Sequence, residues 1–297
     1  MVPMTPARRA ALAVGLPFAL ALIGWASFTA VALADQASYR VHVSVPATGG
    51  QTRVTIDNAD ATVSPGSGDQ ISLSGTLQGS LARPSFSWRS AASGLALHSR
   101  CWSWAGFCSL VYSITAPAGL PLTVSDGSGN LNVSGFGGRV TLADDSGNLG
   151  ASGLAGTISL SGGSGNITAS GLSGGRVRLS DGSGDIVVSG LAATDVVGND
   201  GSGDLTLTFT KVPRQVNVTD GSGDITLVLP RGPAYYHVEA NSESGSTSVS
   251  VNRRQSSPYV IIASNGSGNI TISYLAPACP GAGRYTAASS GGASTAS

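Results

Sequence analysis

Charge is what this sequence has least of. Asp, Glu, Lys and Arg supply 11% of its 297 residues, where an ordinary soluble domain carries about 25%. Lys211 is the sole lysine, and 16 basic residues balance 16 acidic ones to a net charge of zero. Without a concentrated basic face nothing can hold a phosphate backbone, which excludes a nucleic-acid partner. Cysteine is scarce too: three residues cannot build a disulfide scaffold. His42, His98 and His237 sit in separate segments, and Glu239 and Glu243 are the only glutamates. Histidine and glutamate therefore offer little to acid–base or metal chemistry. The shortage of charge does not imply disorder, because hydrophobic residues reach 41% and mean hydropathy is +0.18.

One long uncharged run is present. Arg8 and Arg9 precede a stretch from Ala10 to Ala34 without a charged residue, closed by Asp35. Its 25 residues exceed the ~20 that a helix needs to cross a bilayer. Positive charge ahead of it and none behind puts the short N-terminus in the cytoplasm and the bulk outside. Ala32-Leu33-Ala34 also fits a signal-cleavage pattern, although the run is longer than a signal core of about 7–15 residues. The expectation is a single-pass anchor in the cell membrane with an extracytoplasmic body; secretion after cleavage is the alternative.

Glycine is what the chain has in excess, 42 residues at about twice the usual share. It is concentrated in a recurring phrase, first complete at Ser125-Asp126-Gly127-Ser128-Gly129-Asn130-Leu131. Counterparts of Asn130 fall at Asn148, Asn166, Asp185, Asp204 and Asp224, and later at Asn269. A degenerate copy runs through Asn241–Ser246, and an early one lies at Pro65–Asp69. Alternating apolar residues flank each phrase, as in Val140 and Leu142 before it and Ile186 and Val188 after it. That period of two marks half-buried strands. Gly, Ser and Asp between them supply turns.

A two-strand unit of this size cannot bury its apolar side alone, whereas stacked copies bury a continuous column. The pattern predicts an all-β chain, a parallel β-solenoid of the single-stranded β-helix kind, right-handed by default, with a β-sandwich as the alternative. Phe136, Leu154, Leu172 and Leu191 should plug the second corner of each coil. Thr52–Ile56 and Gln70–Ser74, on either side of the early phrase, should form a first coil. Leu95 and Leu97 should pair with Leu110, Tyr112 and Ile114 in an inserted hairpin that covers the open edge. The expected organisation is a cytoplasmic tail and transmembrane helix over 1–34, then an N-terminal β region with first coil and hairpin cap over 35–122. Solenoid repeats follow over 123–275, and a disordered Ala/Gly/Ser tail over 276–297.

Candidate sites are few. Cys101 and Cys108 bracket a short loop, and outside the cytoplasm such a pair forms a disulfide, free thiols being the alternative; Cys279 has no evident partner. Trp102 and Trp104 lie in that loop, available for packing or for contact with a glycan or protein. Stacking would align Asp181, Asp185, Asp200, Asp204, Asp220 and Asp224 with Asn130, Asn148, Asn166 and Asn269 in one ladder along one edge. The plain reading makes these side chains turn formers that bond backbone donors up the ladder. The alternative is calcium, for which the stretch from Asp181 to Asp224 is the place to look, although calcium wants 6–8 oxygens. No other cofactor or metal site is expected. No paired carboxylates face a groove as glycoside hydrolysis requires, and no nucleophile elbow precedes a helix.

The repeated Asp-Gly-Ser-Gly-Asp-Ile phrase at Asp181–Ile186 and Asp220–Ile225 carries a family resemblance. So do the apolar segment ending near Gly24-Trp25 and Cys101…Cys108 ahead of Ser113-Ile114-Thr115-Ala116-Pro117. Together they resemble the bacterial adhesin-like family of β-strand-repeat domains of unknown function, often tethered by one N-terminal helix. The resemblance spans about residues 8 to 275 and weakens at Asp144-Asp145 and Asn241–Ser246. It implies cell-envelope placement and an adhesive or sensory role, and brings no catalytic residues. The functional expectation is a non-enzymatic, membrane-anchored adhesin-like solenoid whose partner is an envelope protein or glycan. The alternatives are a calcium-stabilised structural solenoid and a polysaccharide-acting β-helix enzyme.

Overall fold

A computed structural model describes residues 37–47, 50–80, 84–91, 94–100, 108–232 and 235–276, with Leu22, Trp25 and Ala26 ahead of them. The anchor expected over Ala10–Ala34 lies outside the described residues apart from those three, as do Cys101, Trp102, Trp104, Cys279 and the tail from 277 onward. Among the described residues no helix is long and apolar enough to cross a membrane. From Ala37 onward, what is described is built from strands and the turns between them.

The coil at 139–152 shows how sequence becomes structure. β10 (Arg139–Ser146) points Val140, Leu142 and Asp144 inward, and β11 (Leu149–Ser152) points Leu149 and Ala151 inward. The Ser146-Gly147-Asn148 corner joins them, and Leu154 fills the next corner, fully buried. β10 pairs in parallel with strands on both sides in one sheet, sheet B. β11 does the same in a second, sheet A. Each coil thus adds one strand to each sheet, and the apolar column runs between them.

In sheet B the stack runs β6 (Gly94–Arg100), β2 (Thr52–Ile56), β8 (Leu122–Asp126), β10, β12 (Ala155–Ser164), β14 (Ser173–Asp181), the second half of β15 (Ile186–Asp200), β17 (Gln215–Ser222), β21 (Val260–Ser267) and β19 (His237–Ser244). Sheet A matches it with β7 (Cys108–Pro117), β3 (Asp60–Gly66), β9 (Leu131–Ser134), β11, β13 (Ile167–Ser170), the first half of β15, β16 (Leu205–Phe209), β18 (Ile225–Leu229), β22 (Ile270–Tyr274) and β20 (Thr247–Val249). Phe136, Leu154, Leu172 and Leu191 are all buried in the corners.

The stacking order departs from chain order at both ends. Thr52–Ile56 makes its coil with Asp60–Gly66 through the Asp57–Ala59 turn, not with Gln70–Ser74. The Gly-Ser-Gly of Pro65–Asp69 is a chain reversal that leads into β4 (Gln70–Gly79), which runs antiparallel to β7. A glycine turn fixes a local bend, with Gly68 at φ +110°, and is silent on which strands flank it. The segments holding Leu95 and Tyr112 do not pair with each other. They occupy opposite sheets and form the first coil. The hairpin partner of β6 is β5 (Ser85–Ala91), which carries Trp88. β1 (Ala37–Pro46) pairs antiparallel with β4 and completes that end.

At the other end the degenerate Asn241–Ser246 copy is the outermost coil, and the chain returns to place 260–274 between it and 215–229. Hydrophobic burial accounts for the inversion. Ile261, Ile270 and Ile272 are fully buried by a neighbour on each side, whereas Val238, Ala240 and Val249 have a neighbour on one side and stay half-exposed. The more apolar coil gains more from the inner place.

This order makes a prediction that chain order would reverse. Ile270→Ala, between Ile225 and Thr247, should cost about 2–5 kcal/mol in denaturant unfolding. Val249→Ala in the outer coil should cost ~1 kcal/mol or less. Equal costs would contradict the inserted coil.

Candidate functional site

The turn edge carries two columns of side chains rather than one. The outer column is a continuous hydrogen-bond ladder. The Asn130 N–H donates to Asp60 Oδ1, Asn148 to Asn130, Asn166 to Asn148, Asp185 to Asn166, Asp204 to Asp185, Asp224 to Asp204, Asn269 to Asp224 and Ser246 to Asn269. The eight bonds span 2.7 to 3.2 Å. Three asparagines add an Nδ2 donor to the same acceptor oxygen: Asn130 to Asp60, Asn148 to Asn130 and Asn269 to Asp224. One side-chain oxygen per coil is therefore committed to the backbone of the next. Of the two ends of the ladder, Asp60 carries no repeat phrase and is missed from sequence, and Ser246 closes the degenerate copy without the Asn or Asp that marks the place elsewhere.

The inner column is Asp126, Asp144, Asp181, Asp200 and Asp220, continued by Asn265. Sequence alone places these with the surface turn acids. The structure buries every one of them, Asp126 and Asp220 to 2% exposure. The cause is strand parity: each is the last inward-facing residue of its sheet B strand, a place where Ile56 stands one coil earlier. One carboxylate oxygen accepts a turn amide, from Ser128 to Asp126, Ser146 to Asp144, Gly182 to Asp181 and Ser222 to Asp220. The Oδ2 atoms of these four have no partner among the described residues. Gly162 interrupts the column between Asp144 and Asp181, and a side chain there would strike Asp181 Oδ1 at 2.6 Å.

Electrostatics follow from burial. Desolvation drives Asp126 up to about 7, with the charge of Asp144 adding to it against the pull of turn amides. Asp200 rises to about 6 through burial, then through Asp220 and Asp181 on either side. Asp144, Asp181 and Asp220 are raised by burial and held back by their own turn amides. Asn265 takes the same place without charge and donates Nδ2 to the Gly223 carbonyl. Among the described residues no three His, Cys, Asp or Glu side chains group as a metal site would require.

The outer face of sheet A is chemically different. Its outward residues form two ranks: Thr62, Asn132, Gly150, Thr168, Val187, Thr206, Thr226 and Thr271 in one, and Ser134, Ser152, Ser170 and Ser189 in the other, which resumes as Thr208, Val228 and Ser273 after a register shift past Val188. Neither rank holds a charge. Where Gly150 lowers the surface, a groove of about 380 Å³ runs across Thr62, Asn132, Ser134, Ser152, Thr168 and Ser170.

The comparisons with known proteins match this architecture. The model of the Toastrack DUF4097 family matches residues 111–274, more than half of the chain. The chain belongs to the Toastrack family. Solved structures share the fold at low identity. A "putative adhesin" from Bacteroides fragilis has 13% identity and a TM-score of 0.52 over 80% of this chain and 97% of that one. Proteins of the same name from Parabacteroides distasonis (12%, TM-score 0.51, 81% and 97%) and Parabacteroides merdae (10%, 0.51, 82% and 97%) are alike. No curated protein matches the chain.

The Toastrack match begins inside β7, so the two coils stacked outermost at the N-terminal end draw their sheet B strands from residues ahead of it. Cys108 opens β7, while Cys101 and the expected bridge to it lie outside the described residues, as do Trp102 and Trp104. His98 Nδ1 meets Asp57 Oδ2 at 2.7 Å on the surface, and His237 meets Glu239 at the far end. The three histidines are not brought together.

The inner column predicts an unusual pH profile. Free Asp titrates near ~3.9, so between about pH 4 and 7 the folded chain keeps protons that the unfolded chain has released. Stability is then full below that window and lost as pH rises through it. The thermal midpoint should be higher at pH 5 than at pH 8, and Asp200→Asn should raise the pH 8 value and flatten the profile. A midpoint that falls on acidification from 8 to 5 would contradict the assignment.

Proposed function

We propose that this chain is a non-enzymatic, adhesin-like β-solenoid, held in the cell membrane by residues 10–34, that binds an uncharged envelope glycan along the outer face of sheet A. The observation that carries this reading is the double rank of mainly hydroxyl and amide side chains, broken by Gly150, Val187 and Val228. It repeats once per coil at roughly 4.8 Å, without charge, and dips into a groove at Gly150. Such a surface offers donors and acceptors in register with a linear polymer and has no ionic group to desolvate. The name borne by the structural relatives is in keeping with it. Cleavage behind Ala34 would leave the same binding face on a secreted molecule.

The placement of the acids supports a non-catalytic role. Neighbouring carboxylates of the inner column stand one coil apart, near the spacing that glycoside hydrolysis uses, but they are buried and cannot meet a sugar. In the outer ladder one oxygen of each side chain is engaged by a backbone amide. For the same reason calcium is the weaker reading, since one carboxylate per coil with an oxygen already engaged falls short of a calcium shell.

Retention of the purified chain on neutral polysaccharides tests the proposal. Thr168→Arg with Thr206→Arg, both outward-facing, should leave the melting midpoint nearly unchanged and weaken binding at least tenfold. Failure to bind any neutral polymer, or equal binding by the variant, would reject it.

A further inference from the structure

We propose that the C-terminal cap of the solenoid carries a second binding site, for a sugar bearing a carboxylate or phosphate, formed around Arg253 and Arg254. The chain between β20 and β21 leaves the coil and folds back over the edge strand. The Tyr236 N–H donates to the Asn252 carbonyl, and the Arg254 N–H donates to the Tyr236 carbonyl. Arg253 thereby bridges Tyr236 in parallel. The Ser257 hydroxyl bonds the Tyr235 carbonyl, and the fully buried Tyr236 ring meets Tyr259 edge-on at 6.3 Å. This strap and the edge strand flank an open surface cavity of about 450 Å³ lined by Tyr236, His237, Val238, Glu239, Arg253, Arg254 and Gln255. That volume lies within the ~300–1,000 Å³ of small-ligand sites.

The charges inside are arranged to leave a surplus of positive charge. His237 Nδ1 donates to the Gln255 carbonyl at 2.8 Å and Nε2 to Glu239 Oε1 at 2.9 Å. Both ring nitrogens are donors, which is the imidazolium form. Glu239 first, and then Gln255, raise the pKa of the ring accordingly. This pair is self-neutralising. Arg253 and Arg254 have no carboxylate within ion-pair distance among the described residues. Arg254 is held with its guanidinium 4.3 Å from the Tyr235 ring centroid, so less freedom is lost when it meets a ligand. Arg253 and Arg254 both line the cavity; guanidinium groups suit a carboxylate or phosphate, and the polar groups of Glu239 and Gln255 suit sugar hydroxyls. The site closes the outermost coil, roughly 45 Å along the stack from the first, away from the strand that follows the N-terminal segment. It is separate from the face of sheet A, and loss of either leaves the other in place.

Calorimetry on the full chain with glucuronate, glucose 6-phosphate, glucose and inorganic phosphate tests this assignment. The acidic sugars should saturate, glucose should not, and affinity should fall as salt is raised. Arg253→Gln with Arg254→Gln should weaken the acidic sugars at least tenfold, while Arg139→Gln with Arg178→Gln on sheet B should not. No saturation by either acidic sugar, or unchanged affinity in the Arg253/Arg254 variant, would overturn the proposal. So would inorganic phosphate binding as tightly as the sugar phosphate. Retention on phosphatidylglycerol vesicles without a response to acidic sugars would overturn it in favour of a lipid headgroup. If the double variant melts early, the salt dependence and the sugar selectivity of the unaltered chain still decide.

Discussion

Consecutive coils approach most closely at one turn residue, and that contact governs the rest of the structure. A Cβ on Gly203 would lie 2.0 Å from the Gly184 carbonyl oxygen, and one on Gly223 would lie 1.8 Å from that of Gly203. Both glycines also hold positive φ, +133° and +143°, which L side chains rarely adopt. The position therefore excludes side chains on two independent grounds. The same contact continues from Gly223 to Gly268 and on to Gly245, which follows the spatial order of the coils and not their order in the chain. With the turns this close, parallel strands can pair along both sheets and the apolar column between them is sealed.

The two polar columns are consequences of that packing. Once turns stack in register, the residue after the glycine faces solvent beside its own copy, and a short amide or carboxylate there can reach the N–H of the next coil. Asn and Asp serve equally, because only an acceptor oxygen is needed. Four residues earlier the same register carries Asp220, Asp200 and Asp181 into the interior, where like charges one coil apart cannot be solvated. The outer ladder ties coils together. The inner column works against the stack at neutral pH and favours it under mild acid, so one glycine-fixed turn delivers a stabilising and a pH-dependent element together.

Much of this was legible in the sequence, and what was not has a physical reason. The period of the Gly-Ser-Gly phrase and the alternation around Val140, Ile186 and Leu205 specify strands, parallel stacking and the corner plugs, because each repeats a local rule. Coil order is not local. Pro65–Asp69 and Asn241–Ser246 look like weak copies of the phrase, yet one is a chain reversal and the other an end cap. Asp57–Ala59, with no glycine at all, makes a true coil turn. The distinction between Asp220 and Asp224 was hidden for another reason: both belong to one hydrophilic phrase, and only strand parity in the folded coil sends one inward. The strap carrying Arg253 and Arg254 breaks the period, and its closeness to His237 arises only because 260–274 returns beneath it.

A single pair of substitutions tests the stacking constraint most directly. Gly203→Ala places a methyl where the neighbouring coil and the backbone angle both forbid it, whereas Gly175 has open space around its Cβ position. By equilibrium denaturation, Gly203→Ala should lose more than about 3 kcal/mol and Gly175→Ala less than about 0.5 kcal/mol. Comparable, small losses at both positions would contradict the account.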